Sequence, residues 1–518
     1  MKSSGIAPVS ARQLVASTGI VMVLYILSDV LGLARSVAIT YQFGTSAEMD
    51  AYYAAFRVPD FIFNLLAGGA LASAFIPPFT TLLAAGDTRG AWRLATQVIN
   101  LVLAVTTAVC VVAFLFAEPF VAYLVAPGFA PAEQQLTAQL MRVMLLTPII
   151  FSVSGIVMGI LNAHQHFVLP AAAPSMYNIG IIFGALVLAP RWGVYGLALG
   201  VVVGALLHLL IQVPWLLRQK IPFTRSLGIR DAQVRHVVNL MIPRAVGNAA
   251  VQLNFWVNVF LASSLAVGSL AALNYAFLIM LLPQAVIAQA IGTVLFPTFA
   301  RMVADGKMDD LRRAFSTVFR GVLFLSIPAS VGLLLLRTPV IQVLFQRGDF
   351  TADSTAQTAF ALQFFAIGLF AQSGLEILSR AFYAMHDTAT PVRISIASVV
   401  LNILLSLILI QPLAHGGLAL ANSIATILEM LVLLFLLRPR LGGVDGRNLA
   451  ASTLKMLMGA AAMTLAIGWF QMTALAQVPL FALLGGIVFG GGAYLLTMLV
   501  LQSDEIALAL RLVRRGRE

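Results

Sequence analysis

Charge is what this chain has least of. Asp, Glu, Lys and Arg make up 10% of its 518 residues, against about 25% in a typical soluble protein. Apolar residues reach 60% and mean hydropathy is +0.96. So little polar surface cannot cover a soluble globule, and the composition predicts an all-α polytopic membrane protein. Cysteine is almost missing as well. Cys110 stands alone in an apolar run, which excludes an internal disulfide. No GxxxxGK loop occurs, which excludes a nucleotide-driven pump. The histidines (His164, His166, His208, His236, His386 and His415) pair with no acid or cysteine at metal-ligand spacing. Neither an enzyme nor a cofactor or metal is expected.

What the chain does have is basic charge, at a net +11. In a soluble protein that balance would suggest nucleic acid. Here the basic residues gather at the ends of apolar segments, so the expected surroundings are membrane lipid, with no nucleic-acid partner. Lys2 and Arg12 precede a helix that runs on without a small-residue cleavage site, so no removable signal peptide is expected.

Apolar segments near 20 residues can span a bilayer. Fourteen fit, at 13–40, 50–83, 92–117, 136–161, 171–189, 193–217, 236–264, 270–300, 315–336, 355–384, 392–411, 416–437, 450–471 and 480–501. Placing the N-terminus in the cytoplasm gives the inward segments Lys2 and Arg12, Arg89 and Arg93, and the run Arg218, Lys220, Arg225, Arg230 and Arg235. Inward too fall Arg301, Lys307, Arg312 and Arg313, Arg380 and Arg393, Arg438, Arg440 and Arg447, then Arg511, Arg514, Arg515 and Arg517. The outward loops hold only Arg191, Arg337 and Arg347. This bias predicts both termini in the cytoplasm and an even number of spans.

The chain also repeats. Phe75-Ile76-Pro77-Pro78-Phe79 with Gly86 matches Leu295-Phe296-Pro297-Thr298-Phe299 with Gly306, 220 residues on. Pro170 matches Pro391, and Gly196-Leu197-Ala198-Leu199 matches Gly417-Leu418-Ala419-Leu420, 221 residues on. The organisation expected is a first lobe of six helices (1–217), a basic cytoplasmic linker (218–235) and a second lobe of six (236–437). Two further helices and a basic tail follow (438–518). An even-numbered unit re-enters from the same side, so the lobes should be related by a pseudo-twofold along the membrane normal, an arrangement used for alternating access.

Ionisable residues within spans cost a few kcal/mol each and mark functional candidates. Asp29, Arg35, Asp50, Arg57 and Asp60 cluster between Ser28 and Phe79. Asp50, Arg57, Asp60 and Asn64 share one helix face by spacing. Arg35 and Arg57 offer planar forks suited to phosphate or carboxylate; equally, Arg57 could pair with Asp60 and Arg35 could snorkel to a helix end. Asp29 fits a protonatable coupling group or the structural partner of an arginine. Arg244, Asn248 and Gln252 rise at i, i+4 steps on the seventh span, as cavity lining or as interhelical hydrogen bonds. Glu376 and Glu429 fit a coupling-cation site or a polar lock between helices, with His208 as the repeat counterpart of Glu429. Arg142 reads as an interface anchor.

These residues resemble a family. Ser28-Asp29-Val30-Leu31-Gly32-Leu33-Ala34-Arg35, then Phe43-Gly44, Asp50-Ala51 and Pro59, look like the opening of the MurJ/MviN flippases of the MOP exporter superfamily. Ala126-Pro127-Gly128-Phe129, Gly159-Ile160-Leu161-Asn162, Pro170, Pro174 and Asn178 continue the likeness, as do Leu344 to Phe350, Phe382-Tyr383 and Asp387 to Val392. The resemblance implies a bacterial plasma-membrane flippase that moves lipid II, an undecaprenyl-pyrophosphate-linked precursor, to the outer leaflet for cell-wall synthesis. Membrane lipids, a coupling ion and cell-wall synthesis proteins are the partners it implies. Arg35, Asp50 and Arg57 match the family's polar positions. Asp29, Phe63 and Leu278 stand where it carries arginine, Ser36 where it carries aspartate, and Leu281 near its glutamate. The alternatives are a flippase for another lipid-linked oligosaccharide, a MATE-like exporter, and a transport-dead membrane scaffold.

Overall fold

A computed structural model describes residues 11–67, 69–219 and 224–506, without the side chains of 11–18, 67, 69–72, 243, 246–247 and 250–251. Lys2, Lys220, Arg511, Arg514, Arg515, Arg517 and the side chains of Arg12 and Pro243 therefore lie outside the described residues. Every regular element among the described residues is helical. Among the described residues, eleven helices are long and apolar enough to cross a membrane. One of these, Ala389–Arg440, reverses at Ala414 and so supplies two of the expected segments. The helices Ala47–Ile62 and Gly69–Ala84, and the more polar Ala232–Ala262, cover the second and seventh segments. The helices are consistent with fourteen spans. The chain divides into two compact units between Ser264 and Leu265.

In the first unit, glycines set how closely helices approach. A Cβ on Gly180 would lie 2.2 Å from the Cα of Gly204, and one on Gly184 would lie 2.5 Å from that of Gly200. Two i, i+4 glycine rows thus bring the Val168–Phe183 helix and the π-turn after it against Val194–Leu210, backbone to backbone. Phe75 and Phe79 are fully buried, and Phe75 packs under Gly159.

In the second unit, the core runs from Phe299, Phe315 and Phe319 through Phe382 to Met456 and Tyr494. The last two helices, Gly446–Gln471 and Pro479–Val500, belong to it. The Tyr494 hydroxyl donates to the carbonyl of Phe324 at 2.8 Å, and Gly459 lets the Tyr494 ring lie flat against its helix. Arg320 reaches Ser452 at 3.2 Å and the carboxylates of Asp504 and Glu505 at 3.4 Å. Arg320, a basic residue inside an apolar span, thus clamps helix Met308–Leu335 to the appended pair.

The repeat recurs as local geometry inside each unit. Gly86 and Gly306 take left-handed φ of 78° and 71° in the same turn. The following amides close it alike, Asp87 N on Leu82 O at 3.0 Å and Lys307 N on Met302 O at 2.9 Å. Gly196 packs on the backbone of Leu188, and Gly417 on that of Leu409, the equivalent residue. One position breaks the pattern. Gly193 (φ 55°, ψ −144°) is replaced in the second unit by Ala414 at φ 46°, ψ −131°. That region is nearly closed to residues with a Cβ, at a cost of roughly 1–3 kcal/mol. Ala414→Gly should therefore stabilise the protein by about 1 kcal/mol once the looser unfolded chain is allowed for. A higher thermal midpoint in detergent is expected, and a lower one refutes the strain.

The turn after Ala352–Ala384 carries a second tie. Asp387 accepts from the Thr390 amide at 2.9 Å and hydroxyl at 2.6 Å, and it pairs with Arg440 at the far end of the reversing helix. Arg440 also lies over the Phe382 ring, 5.1 Å from its centroid. The Thr390 hydrogen bonds, with Arg440 adding to them, hold the Asp387 carboxyl down at about 2, below its ordinary 3.8. A depressed carboxyl contributes stability above pH 3.8 that is lost as pH falls toward 2. Asp387→Asn should lower the thermal midpoint at neutral pH, with the gap to wild type closing below about pH 4. A gap independent of pH would show that the charge contributes nothing.

Candidate functional site

The Ala47–Ile62 helix is capped at Ser46, whose hydroxyl accepts from the Met49 amide at 3.4 Å. Asp50 sits buried in its first turn, where a carboxylate complements the helix dipole. Pro59 lies inside the helix and supplies no amide hydrogen, so the ladder loses a bond there. Four residues on, the helix widens into a π-turn, Phe63–Ala67. Such turns are often found at functional sites. Asn64 lies in this turn, and its side-chain amide donates to the Asp60 carbonyl at 2.9 Å.

Around that helix the first unit gathers its polar groups. Arg35 Nη1 donates to Asn178 Oδ1 at 3.1 Å, and Asn178 Nδ2 donates to the Ser28 carbonyl at 3.1 Å. Asn178 is 7% exposed and thus spans two turns of the first helix, fixing the guanidinium laterally. Arg35 therefore does not snorkel to a helix end; it is half-buried against the Val168–Phe183 helix. Arg57 is half-buried and 5.7 Å from the Phe255 ring, within electrostatic reach of Asp60 and Tyr53. Tyr177 lies within such reach of both Arg35 and Asp60, and Tyr52 of Arg35 and Tyr177. Arg35, Arg57, Asp60 and these tyrosines form one constellation.

Arg244 stands apart from it. It is exposed and donates to the Ser73 hydroxyl at 2.7 Å. Eleven residues separate it from Phe255, about 16 Å along the Ala232–Ala262 helix. Asn248 is exposed beside it and Gln252 half-buried. Asp29 is exposed and forms no ion pair among the described residues. In the second unit, Glu376 pairs with Arg380 one turn on, at 2.6 Å. Ser395 and Ser398 lie near the Glu429 carboxyl, the Ser398 hydroxyl donating to the Ala425 carbonyl at 3.2 Å, and Tyr383 lies within electrostatic reach of both acids. The Glu376–Arg380 pair lies within one helix, Ala352–Ala384. Arg142 pairs with Glu118 at 3.1 Å.

Several partners went unseen in the sequence. Asn178 figured only as a point of resemblance, although an asparagine inside an apolar span is itself a signal for an interhelical bond. Ser154, His208 and Gln212 form a buried triad, with Ser154 Oγ 2.7 Å from His208 Nδ1 and 2.9 Å from Gln212 Nε2. The repeat pointed to His208 through Glu429, its counterpart on the equivalent helix of the second unit.

Comparison with known proteins follows the same outline. Residues 39–500 match the family model for the lipid II flippase MurJ. The lipid II flippase MurJ of Burkholderia cenocepacia is 31% identical over 427 residues, covering 80% of this chain and 82% of that protein. Among solved structures, a lipid II flippase MurJ in an inward closed conformation superposes with a TM-score of 0.81 at 26% identity, covering 94% of this chain and 99% of that one. An inward-facing MATE multidrug-resistance transporter of the MOP superfamily reaches 0.68 at 15% identity, over 82% and 98% of the two chains, a likeness of fold alone. With a family model spanning nearly all the described helices, the chain belongs to the MurJ family of lipid II flippases.

Proposed function

We propose that the chain carries lipid II from the inner to the outer leaflet of the bacterial plasma membrane by alternating access, for cell-wall synthesis. The family match over residues 39–500 carries this reading. The chemistry of the first unit supports it. A pyrophosphate-linked sugar headgroup needs donors and positive charge that survive at membrane depth. Arg35 offers such a fork, and Asn178 orients it without cancelling its charge. Arg57 adds a second fork, with Asp50, Asp60 and Asn64 on the same helix as polar lining. Arg244, with Asn248 and Gln252, is a separate station about three turns off. Among the acids, Asp29, Glu376 and Glu429 are the coupling candidates, Glu376 being held by Arg380. One charge moved through 100 mV is worth about 2.3 kcal/mol, so an ion gradient or the membrane potential is an adequate source of energy. The distribution of arginine supports cytoplasmic termini, and cell-wall synthesis proteins are the natural neighbours. A second reading, a flippase for another lipid-linked oligosaccharide, is favoured by Asp29, Phe63 and Leu278, where the family resemblance leads one to expect arginine.

Cells depleted of their own lipid II flippase separate these readings: rescue by this chain supports the first, and failure at normal protein level the second. In that assay Arg35→Ala, Arg57→Ala and Arg244→Ala should each abolish or sharply reduce export, since each removes a charge-assisted contact worth about 1.5–3 kcal/mol. Full activity of any one removes that residue from the site.

Asn178→Leu tests the anchoring of Arg35. It should lower export, and in an Arg35→Ala background it should lower it no further, because one interaction cannot be lost twice. Additive losses would mean that Asn178 acts elsewhere.

A further inference from the structure

Among the described residues, a cavity of about 210 Å³ lies in the first unit, where the π-turn Phe63–Ala67 meets the helices Thr88–Leu115 and Ala232–Ala262. Leu66, Val102, Thr106, Val237 and Met241 line it. Val102 and Val237 are buried, whereas Val105, also on its wall, is 42% exposed and marks the mouth. Apolar cavities of about 150 Å³ stay dry and accept a hydrocarbon such as benzene. An unfilled one forfeits the dispersion contacts of its whole lining. From Val98 to Thr106 its wall follows one helix for about 12 Å, which leaves room for a run of methylenes.

The nearer ends of the same two helices are cationic. Arg93 lies five residues before Val98, about 7.5 Å, and Arg235 two residues before Val237. Both are exposed, as are Arg89 and Arg230. The acids close by cap helix ends, Asp87 accepting from the Gly90 amide at 2.8 Å and Asp231 from the Gln233 amide at 2.9 Å. Asp231 also forms a long ion pair with Arg93, at 4.0 Å, and Arg235 donates to the Arg230 carbonyl at 3.2 Å, so the four arginines outnumber the two acids and the rim stays positive. The segment carrying Arg230 is held in place, since Asn100 donates to the carbonyls of Thr224 and Ser226 at 2.7 and 3.1 Å. An arginine rim set one headgroup's reach above an apolar slot matches an anionic lipid.

We propose that this is a seat for an anionic diacyl phospholipid, one acyl chain in the cavity and the phosphate at Arg93 and Arg235. A chain lodged there fills the space between the two helices and stabilises their separation. The site lies apart from the Arg35 constellation and does not depend on the headgroup that the protein carries.

The test uses the full chain in nanodiscs with phosphatidylglycerol bearing a diazirine midway along one acyl chain. Photolabel is expected on residues 98–106 and 237–241. It should fall about tenfold, the ratio set by 1.4 kcal/mol, in Val102→Phe and in the Arg93→Gln, Arg235→Gln double variant. Labelling of the lipid-facing helix Pro479–Val500 should not change. Should Val102→Phe fail to fold, Val105→Phe at the mouth makes the same test. Equal labelling in these variants, or equal labelling by phosphatidylcholine with the same chain, overturns the proposal. Full displacement by undecaprenyl phosphate also overturns it, assigning the cavity to an isoprenoid tail.

Discussion

A charged side chain drawn away from water must find a partner, and that partner is a carboxylate for some arginines of this chain and a neutral dipole for others. In the second unit, arginines meet carboxylates: Arg320 with Glu505 and Asp504, Arg380 with Glu376, Arg440 with Asp387. Each pair cancels its own field. In the first unit, Arg35 is held by the neutral amide of Asn178 and Arg244 by the hydroxyl of Ser73. A neutral dipole satisfies hydrogen-bonding geometry but leaves the positive charge in place. Arg35 and Arg244 thus keep their charge where they are held, while the arginines paired with carboxylates, Arg142 with Glu118 in the first unit among them, are structural ties.

One scaffold serves both ends because the repeat fixes backbone geometry and leaves side chains free to diverge. The Gly86 and Gly306 turns and the Gly196 and Gly417 approaches are alike, whereas residues on the facing helices are not. His208 and Tyr177 of the first unit correspond by sequence offset to Glu429 and Ser398 of the second. In the first unit Phe151 mediates, its ring 5.1 Å from His208 and 5.3 Å from Tyr177. In the second, the Ser398 hydroxyl donates to the Ala425 carbonyl at 3.2 Å, one turn before Glu429. The same helix pair is tied by aromatic packing in one copy and by a serine hydroxyl in the other.

The spans were legible because bilayer thickness demands a length of apolar chain that little else produces. The polar stripe Asp50, Arg57, Asp60 and Asn64 was legible from helical spacing, because those residues share one element. What could not be read was set by distance in sequence. Arg35 and Asn178 are 143 residues apart, and Arg244 and Ser73 171 apart, so no local pattern announces either pair. The π-turn at Phe63–Ala67 was hidden too, since only Pro59 hints at it and prolines inside helices do not always widen them. Glu376 and Arg380 were separable in principle by the i, i+4 rule, but Arg380 was assigned to the helix end and Glu376 to the interior.

Neutral anchoring also bears on release. An arginine paired to its own carboxylate would make an incoming phosphate compete with a charge already in contact, and binding would be weak. An arginine with no partner in a dry site would hold a pyrophosphate too firmly, since unit charges 4 Å apart attract by about 4 kcal/mol at an effective dielectric of 20. A transporter needs binding strong enough to admit its cargo and weak enough to let it go. On the proposed function Arg35 sits between these limits, half-buried and oriented by an amide that donates its own hydrogen to the Ser28 carbonyl. Asn178 would then still hold the guanidinium in place when an anion leaves, and the site would not have to rearrange before accepting the next one.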